Sequence, residues 1–383
     1  MFQRFPFRVP TARARLTGPP APLRPAPLRP AALRPAALLG AALLTTLLSA
    51  CTGTEEASVP LTLAILSDGG TVLRAVTPTD TNGVVTAPEQ ARVTVTGGVS
   101  LATPADGQRL LLTRRDGVES RAPDLSDPRP YPDPTFTPRC NLQSAQNAAR
   151  DRLLILSDCG GVQNLALYQS GALVWTAALP GALVTAPGAD TPPTRLAVQG
   201  DVGIVARARL GGGSEVLRAA PVTAGDPVAE VSPPQASPAI RDLANLGGTL
   251  IAATDTGVQS LTPAGLPDAT TTRSALGATR FDHLWTGGNQ NLLAAWRDAA
   301  LSGNGSEPLR LWDGRAATAA TVENVTDLRD LTITPDGFLY TLTGNALRRH
   351  DTLLGLQNGN WRSVTLPVAL QDARSVTWVV PTP

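Results

Sequence analysis

Five arginines recur through the second half of this 383-residue chain at nearly even spacing: Arg195, Arg241, Arg280, Arg329 and Arg374, separated by 46, 39, 49 and 45 residues. Asp242, Asp282 and Asp330 stand beside three of them. A guanidinium presents a planar fork of donors that matches a carboxylate or a phosphate. If a repeat brings these side chains together, they can hold an anion or an acidic loop of a partner. The competing reading is a set of Arg–Asp pairs between neighbouring repeats, which neutralise one another and set register. Arg241, Arg329 and Arg374 occupy the most similar slots, with Asp242, Asp330 and Ser375 next to them. They are the predicted ligand contacts, together with His283.

Other reactive groups are few. His283 and His350 are the only imidazoles. In "RFDHLW" the alternation puts Phe281, His283 and Trp285 on one face, so His283 is either packed between repeats or a base. His350, in "RRHD", reads as a solvated residue on a surface strand. The chain has no HExxH, GxSxG, Walker or CxxC motif, and "LGGGSEV" (210–216) belongs to a hairpin, not to the start of a helix. No catalytic residue, metal ligand or cofactor is assigned. "TPTDTNG" (77–83) spaces Asp80 and Asn82 like part of a calcium loop but lacks the closing Glu, and reads as an Asx turn. The Pro-rich stretch 122–140, with Tyr131 and Phe136, is either a partner-binding arm or a stiff connector. Trp285, Trp296, Trp312, Trp361 and Trp378 crowd the last third, where they fill space between repeats or, if exposed, mark a binding sector.

The elements that must position these residues are strands. "DLTITPDGFLYTLTGNALRRHD" (330–351) is three alternating runs joined by two tight turns. Its middle run has six relatives, so that copies begin at Leu61, Arg109, Arg152, Val202, Thr249, Asn291 and Gly337, a mean period of 46 residues. Most end in a turn built around Asp: Asp68, Asp116, Asp158, Asp255 and Asp298. Outer strands read as 91–97, 172–180 and 361–367. Four strands per period, seven times over, resembles a seven-bladed β-propeller of the WD40, NHL or YVTN kind. The "TPDGFLYTLTGNALRRHD" copy looks most like the NHL/YVTN style, and "LALYQSGALVWTAALPG" looks most like a quinoprotein blade. An open pair of β-sandwiches and a β-helix are the competing architectures. The first copy has no inner strand before it, whereas "DARSVTWVVPTP" at the C-terminus is an inner strand with no second strand after it. The expected fold is therefore all-β, with the C-terminal strand closing the first blade.

The N-terminus supplies an address. Pro20, Pro25, Pro30 and Pro35 block a helix before Ala36, and "AALLGAALLTTLLSA" (36–50) is a 15-residue apolar run. That length suits a signal-peptide core, since a membrane span needs roughly 20 residues. Leu48-Ser49-Ala50-Cys51 resembles a bacterial lipobox, which implies cleavage before Cys51 and lipidation of its thiol; an ordinary signal peptide or short anchor with a chance Cys is the alternative. The expected organisation is a signal peptide over 1–50, a lipidated Cys and tether over 51–60, and a propeller over 61–383. The chain contains no Lys, and removal of 1–50 leaves 25 Arg against 31 acids, formally −6. No general attraction for nucleic acid or anionic lipid follows from that sign. Export makes a Cys140–Cys159 disulfide the economical reading, against two separate buried thiols.

These readings predict a lipid-anchored propeller at the cell envelope, in the outer membrane if the cell has one, acting as a binding or assembly module for an envelope protein. In plan it resembles the propeller lipoprotein of the outer-membrane barrel-assembly machine. The alternative is an envelope enzyme on the same scaffold, a quinoprotein-like dehydrogenase or a propeller lyase, which would need a metal and a base at the channel mouth.

Overall fold

Each period of the sequence folds into one antiparallel sheet, and the seven sheets form a seven-bladed β-propeller. The structure, a computed structural model, describes residues 61–181, 190–287 and 291–381. The predicted signal peptide, Cys51 and the tether lie outside the described residues. From channel to rim, blade one is Ser375–Val379, Thr62–Ser67, Val72–Val76 and Glu89–Thr94. Blade two follows with Gly98–Ala102, Leu110–Arg114, Gly117–Arg121 and Arg129–Pro130, and blade three with Asn141–Gln146, Arg152–Cys159, Val162–Gln169 and Ala172–Ala178. Blade four has Arg195–Gln199, Val202–Ala208, Ser214–Pro221 and Ala229–Val231, with Gln235–Ser237 as a further partner of its third strand. The inner strands of blades five, six and seven are Ile240–Leu246, His283–Thr286 and Leu328–Ile333.

The second strand of every blade is one of the seven repeat copies. These strands read as near-continuous apolar runs because each is covered on both faces by neighbouring blades. In Leu110–Leu112, Leu110 and Leu112 pack toward blade one while Leu111 packs toward blade three. In Leu153–Leu156 the same alternation divides Leu153 and Ile155 from Leu154 and Leu156. Seven apolar clusters among the described residues fill the seven junctions between blades. Closure is as expected: Leu63 pairs with Trp378 and Leu66 with Ser375, and all five residues of Ser375–Val379 are buried.

Blade five departs from the four-strand expectation, with three strands ending at Gly257–Ser260. Pro263 and Pro267 cannot donate to a ladder, and the Ser/Thr-rich stretch after them favours local turns. Two 3₁₀ turns, Ala269–Thr271 and Ser274–Leu276, take the outer position. Thr271 Oγ1 accepts from the Ser260 N–H at 2.9 Å, replacing a strand carbonyl.

Two expectations about side chains resolve here, and one segment is placed. His350 is not solvated. The outer strand of blade six (Ala320–Val325) and the Trp361–Ser363 turn cover it completely. Its Nδ1 lies 2.8 Å from Ser363 Oγ, and its Nε2 lies 3.1 Å from both Thr341 Oγ1 and Glu323 Oε1. Burial alone would raise the Glu323 carboxyl, but His350 and Arg348 outweigh it and hold it below the usual range. The tryptophans form no exposed sector: Trp296, Trp361 and Trp378 are buried, and Trp285 and Trp312 half-buried. The 122–140 stretch supplies the outer strand of blade two, and its Tyr131 and Phe136 pack against the cluster shared with blade three, while much of the rest is exposed.

Candidate functional site

All seven inner strands run in the same sense, so their first residues ring one mouth of a central channel and their last residues ring the other. The channel encloses about 570 Å³. At the first mouth, Arg195, Asp242, His283, Asp330, Ser375 and Ser100 hold corresponding positions on blades four, five, six, seven, one and two. Hydrogen bonds and one ion pair join this belt from blade to blade, His283 being held instead by ring stacking. Arg195 Nε donates to the Arg241 carbonyl of blade five at 3.0 Å and lies 3.0 Å from Asp242 Oδ1 as an ion pair, and Asp242 Oδ2 accepts from the Leu284 N–H of blade six at 2.8 Å. Asp330 Oδ1 accepts from Trp285 Nε1 at 3.0 Å, while Oδ2 accepts from Ser375 Oγ at 2.7 Å and the Val376 N–H at 2.9 Å. Ser375 Oγ accepts from the Leu101 N–H at 3.1 Å, and Ser100 Oγ meets Ser144 Oγ of blade three at 2.7 Å. Blades three and four are joined behind the channel, where Arg152 Nε and Trp175 Nε1 reach Asp201.

This belt explains the neighbours of the predicted arginines better than the arginines themselves. In blades two, three, five and seven a β-bulge inserts one residue just before the belt: Val99, Leu142, Arg241 and Arg329. Arg241 and Arg329 therefore share a slot, as their spacing predicts, but not a fate. Arg241 is 4% exposed, does not line the channel and bonds both Asp255 oxygens, at 2.8 and 3.2 Å, and the Asp190 carbonyl. Asp255 lies in the turn after the second strand, where blade seven has Gly344-Asn345. Lacking such a carboxylate, Arg329 turns outward to Asp327 at 2.6 Å and stays 48% exposed. Arg374 is similar, 43% exposed and 3.2 Å from Asp372. Arg280 is held by Asp282 and Asp190 away from the cavity. Arg195, Arg329 and Arg374 line the first mouth with Asp242 and Asp330.

His283 also faces the channel, stacked between Trp285 and Trp296 with ring centroids 5.5 and 5.7 Å away. Burial lowers its pKa more than the nearby Asp242 raises it, which favours a neutral imidazole at pH 7. Burial pushes the Asp330 carboxyl up, against the pull of the donors that surround it. Among the described residues no group of three or more His, Cys, Asp or Glu side chains is placed to hold a metal ion. No described helix is long and apolar enough to cross a membrane.

Cys140 and Cys159 form a disulfide, Cα to Cα 5.2 Å, between the start of blade three and the end of its second strand. Those two loops emerge on the first-mouth face. The 19-residue separation corresponds to a stabilisation of about 3 kcal/mol by restriction of the unfolded chain. Ser100, Ser144 and the pair Thr103–Thr377, 2.6 Å apart, escaped the sequence reading. A period-aligned column of small hydroxyl residues on the inner strands was their only signal.

No family model matches the chain, and no curated protein matches it. Solved structures do. A candidate 6-phosphogluconolactonase from Bacteroides uniformis aligns over 84% of this chain and 100% of its own, with TM-score 0.56 and 14% identity. A protein of unknown function from Desulfotomaculum acetoxidans aligns over 84% and 100%, with TM-score 0.57 and 8% identity. Apo AztD from Citrobacter koseri aligns over 84% and 99%, with TM-score 0.51 and 12% identity. At these identities the likeness is one of fold.

Proposed function

We propose that this chain is a lipid-anchored propeller of the cell envelope, exported and modified at Cys51, and that it binds an envelope protein partner at the first mouth of its channel. One observation supports the site above others. The inner ring of polar groups is engaged in blade-to-blade bonds, whereas Arg329 and Arg374 stand outside it, half exposed, each with one solvent-facing carboxylate. A rigid ring carrying outward guanidinium groups is suited to an acidic loop, because exposed ion pairs are weak and exchange readily for stronger ones. Arg241 is better read as a support of blade five than as a contact.

Two measurements test this. Cys51→Ser should release the protein from the membrane fraction; retention there would remove the anchor from the reading. Arg329→Gln with Arg374→Gln should lose a partner that the wild type retains after cross-linking in membranes, with the melting curve unchanged. Equal capture by the double variant would refute the site. The second reading, an enzyme at the same mouth, is favoured by His283, an imidazole facing the cavity. It would require His283→Gln to abolish turnover of a substrate while partner capture persists.

A further inference from the structure

A second cavity, of about 670 Å³, opens between blades two and three on the side of the other channel mouth. Its volume falls within the range of small-molecule sites. Tyr131 and Tyr168, ring centroids 5.5 Å apart, line it with Leu111, Leu153 and Pro130. Tyr168 is fixed by its hydroxyl, which donates to the Pro132 carbonyl at 3.0 Å. The Pro-rich connector thus forms one wall.

Three of the four arginines here already have carboxylate partners. Arg109 and Arg129 share Asp127, and Arg152 holds Asp151 and Asp201. Arg150 differs. Among the described residues no carboxylate lies within ion-pair distance of it, and its guanidinium rests over the Trp378 ring at 5.1 Å. It lines both this cavity and the channel, as does Gln146, whose Nε2 is buried without a hydrogen-bond partner. The turn that carries Arg150 is built to hold it there: Asn147 Oδ1 accepts from the N–H groups of Asp151 and Arg152, each at 3.1 Å. Arg150 itself takes φ 55°, a left-handed conformation uncommon outside glycine and found preferentially at functional sites. Burial lowers its pKa, and Asp106, which lines the same cavity beyond ion-pair distance, offsets only part of that.

We infer that the cavity between blades two and three binds a small molecule with an apolar body and a single anionic head, the head bonding Arg150 and Gln146 Nε2 and the body lying against Tyr131 and Tyr168. The inference is independent of the partner site at the first mouth, since none of the predicted mouth residues lines this cavity. The head chemistry follows from the donors of Arg150 and Gln146 on a wall where Asp151 is already engaged by Arg152 and Asp106 lies beyond ion-pair distance of Arg150. The body follows from the apolar wall, which strongly hydrated groups would not cover.

Phenyl phosphate carries both features, and phenol and inorganic phosphate carry one each. Calorimetric titration of the purified protein should give saturable binding of phenyl phosphate, with each half-molecule weaker by about tenfold or more. Arg150→Gln should weaken phenyl phosphate by about tenfold or more, and Arg150→Lys by less, because it retains charge but not the fork. Absence of saturable binding to the wild type would overturn the inference whatever the variants do. Equal affinity of Arg150→Gln, or of inorganic phosphate and phenyl phosphate, would do the same.

Discussion

The two mouths of one channel are built from the same seven strands and differ in how completely their polar groups are engaged. At the first, Arg195, Asp242, Asp330, Ser375 and Ser100 are bonded across blade boundaries, while the bulged or preceding residues Arg329 and Arg374 reach solvent with their partners Asp327 and Asp372. At the second, Thr103 pairs with Thr377, and Asn245 Nδ2 and Gln199 Nε2 reach the Val198 and Gly248 carbonyls of the adjoining blade, but Arg150 has no ion-pair partner and Gln146 Nε2 no acceptor among the described residues. Both ends tie neighbouring blades together. The second also leaves two donors of blade three, on Arg150 and Gln146, unengaged.

The largest expected effect removes both mouths at once. Deleting Ala373–Pro383 takes Ser375 from the belt and Trp378 from beneath Arg150, and exposes the edge of Thr62–Ser67. Burial of Val376, Trp378 and Val379 contributes about 5 kcal/mol or more, close to the whole stability of a domain. A truncated protein that melts like its parent would mean that the ring is not closed by this strand.

Next, Asp330→Ala should cost about 3 kcal/mol or more, because it strands the buried donors that converge on one carboxylate. Arg150→Ala, a truncation at the other mouth, should stay within about 1 kcal/mol. Denaturant titration of both compares the mouths directly, and equal costs would erase the distinction.

Away from the axis, Glu323 tests whether junctions between blades titrate. Its folded pKa lies below the ordinary 4.5, so it contributes stability that is present above 4.5 and is lost as pH falls through the folded value. Glu323→Gln should therefore cost about 1 kcal/mol at neutral pH, with the gap to wild type closing as the medium is acidified. A gap constant from pH 7 down to acid unfolding would contradict the pairing with His350 and Arg348. The smallest effect belongs to the rim. Arg329→Gln with Arg374→Gln should shift stability by less than about 1 kcal/mol, since both pairs are solvent-exposed. A larger loss would place these arginines in the structural belt.

By itself the sequence determined the blade count, the second strand of each blade and the closing strand. Strand alternation and Asp/Gly turns are local, and repetition at a fixed period reinforces a weak local signal seven times. It also placed Cys140 and Cys159 on neighbouring loops of one blade. Tertiary structure alone decided which side of a blade each polar residue serves. Period-2 alternation assigns His350 to a face but does not say that blade six and the Trp361–Ser363 turn will cover that face. Arg241 and Arg329 share a bulged slot, and their fates diverge because Asp255 lies in one neighbouring turn and Asn345 in the other. Arg150 gave no signal, since its importance rests on a lack of partners. A side chain in a propeller meets groups one blade, some 46 residues, away along the chain, and no local pattern carries that information.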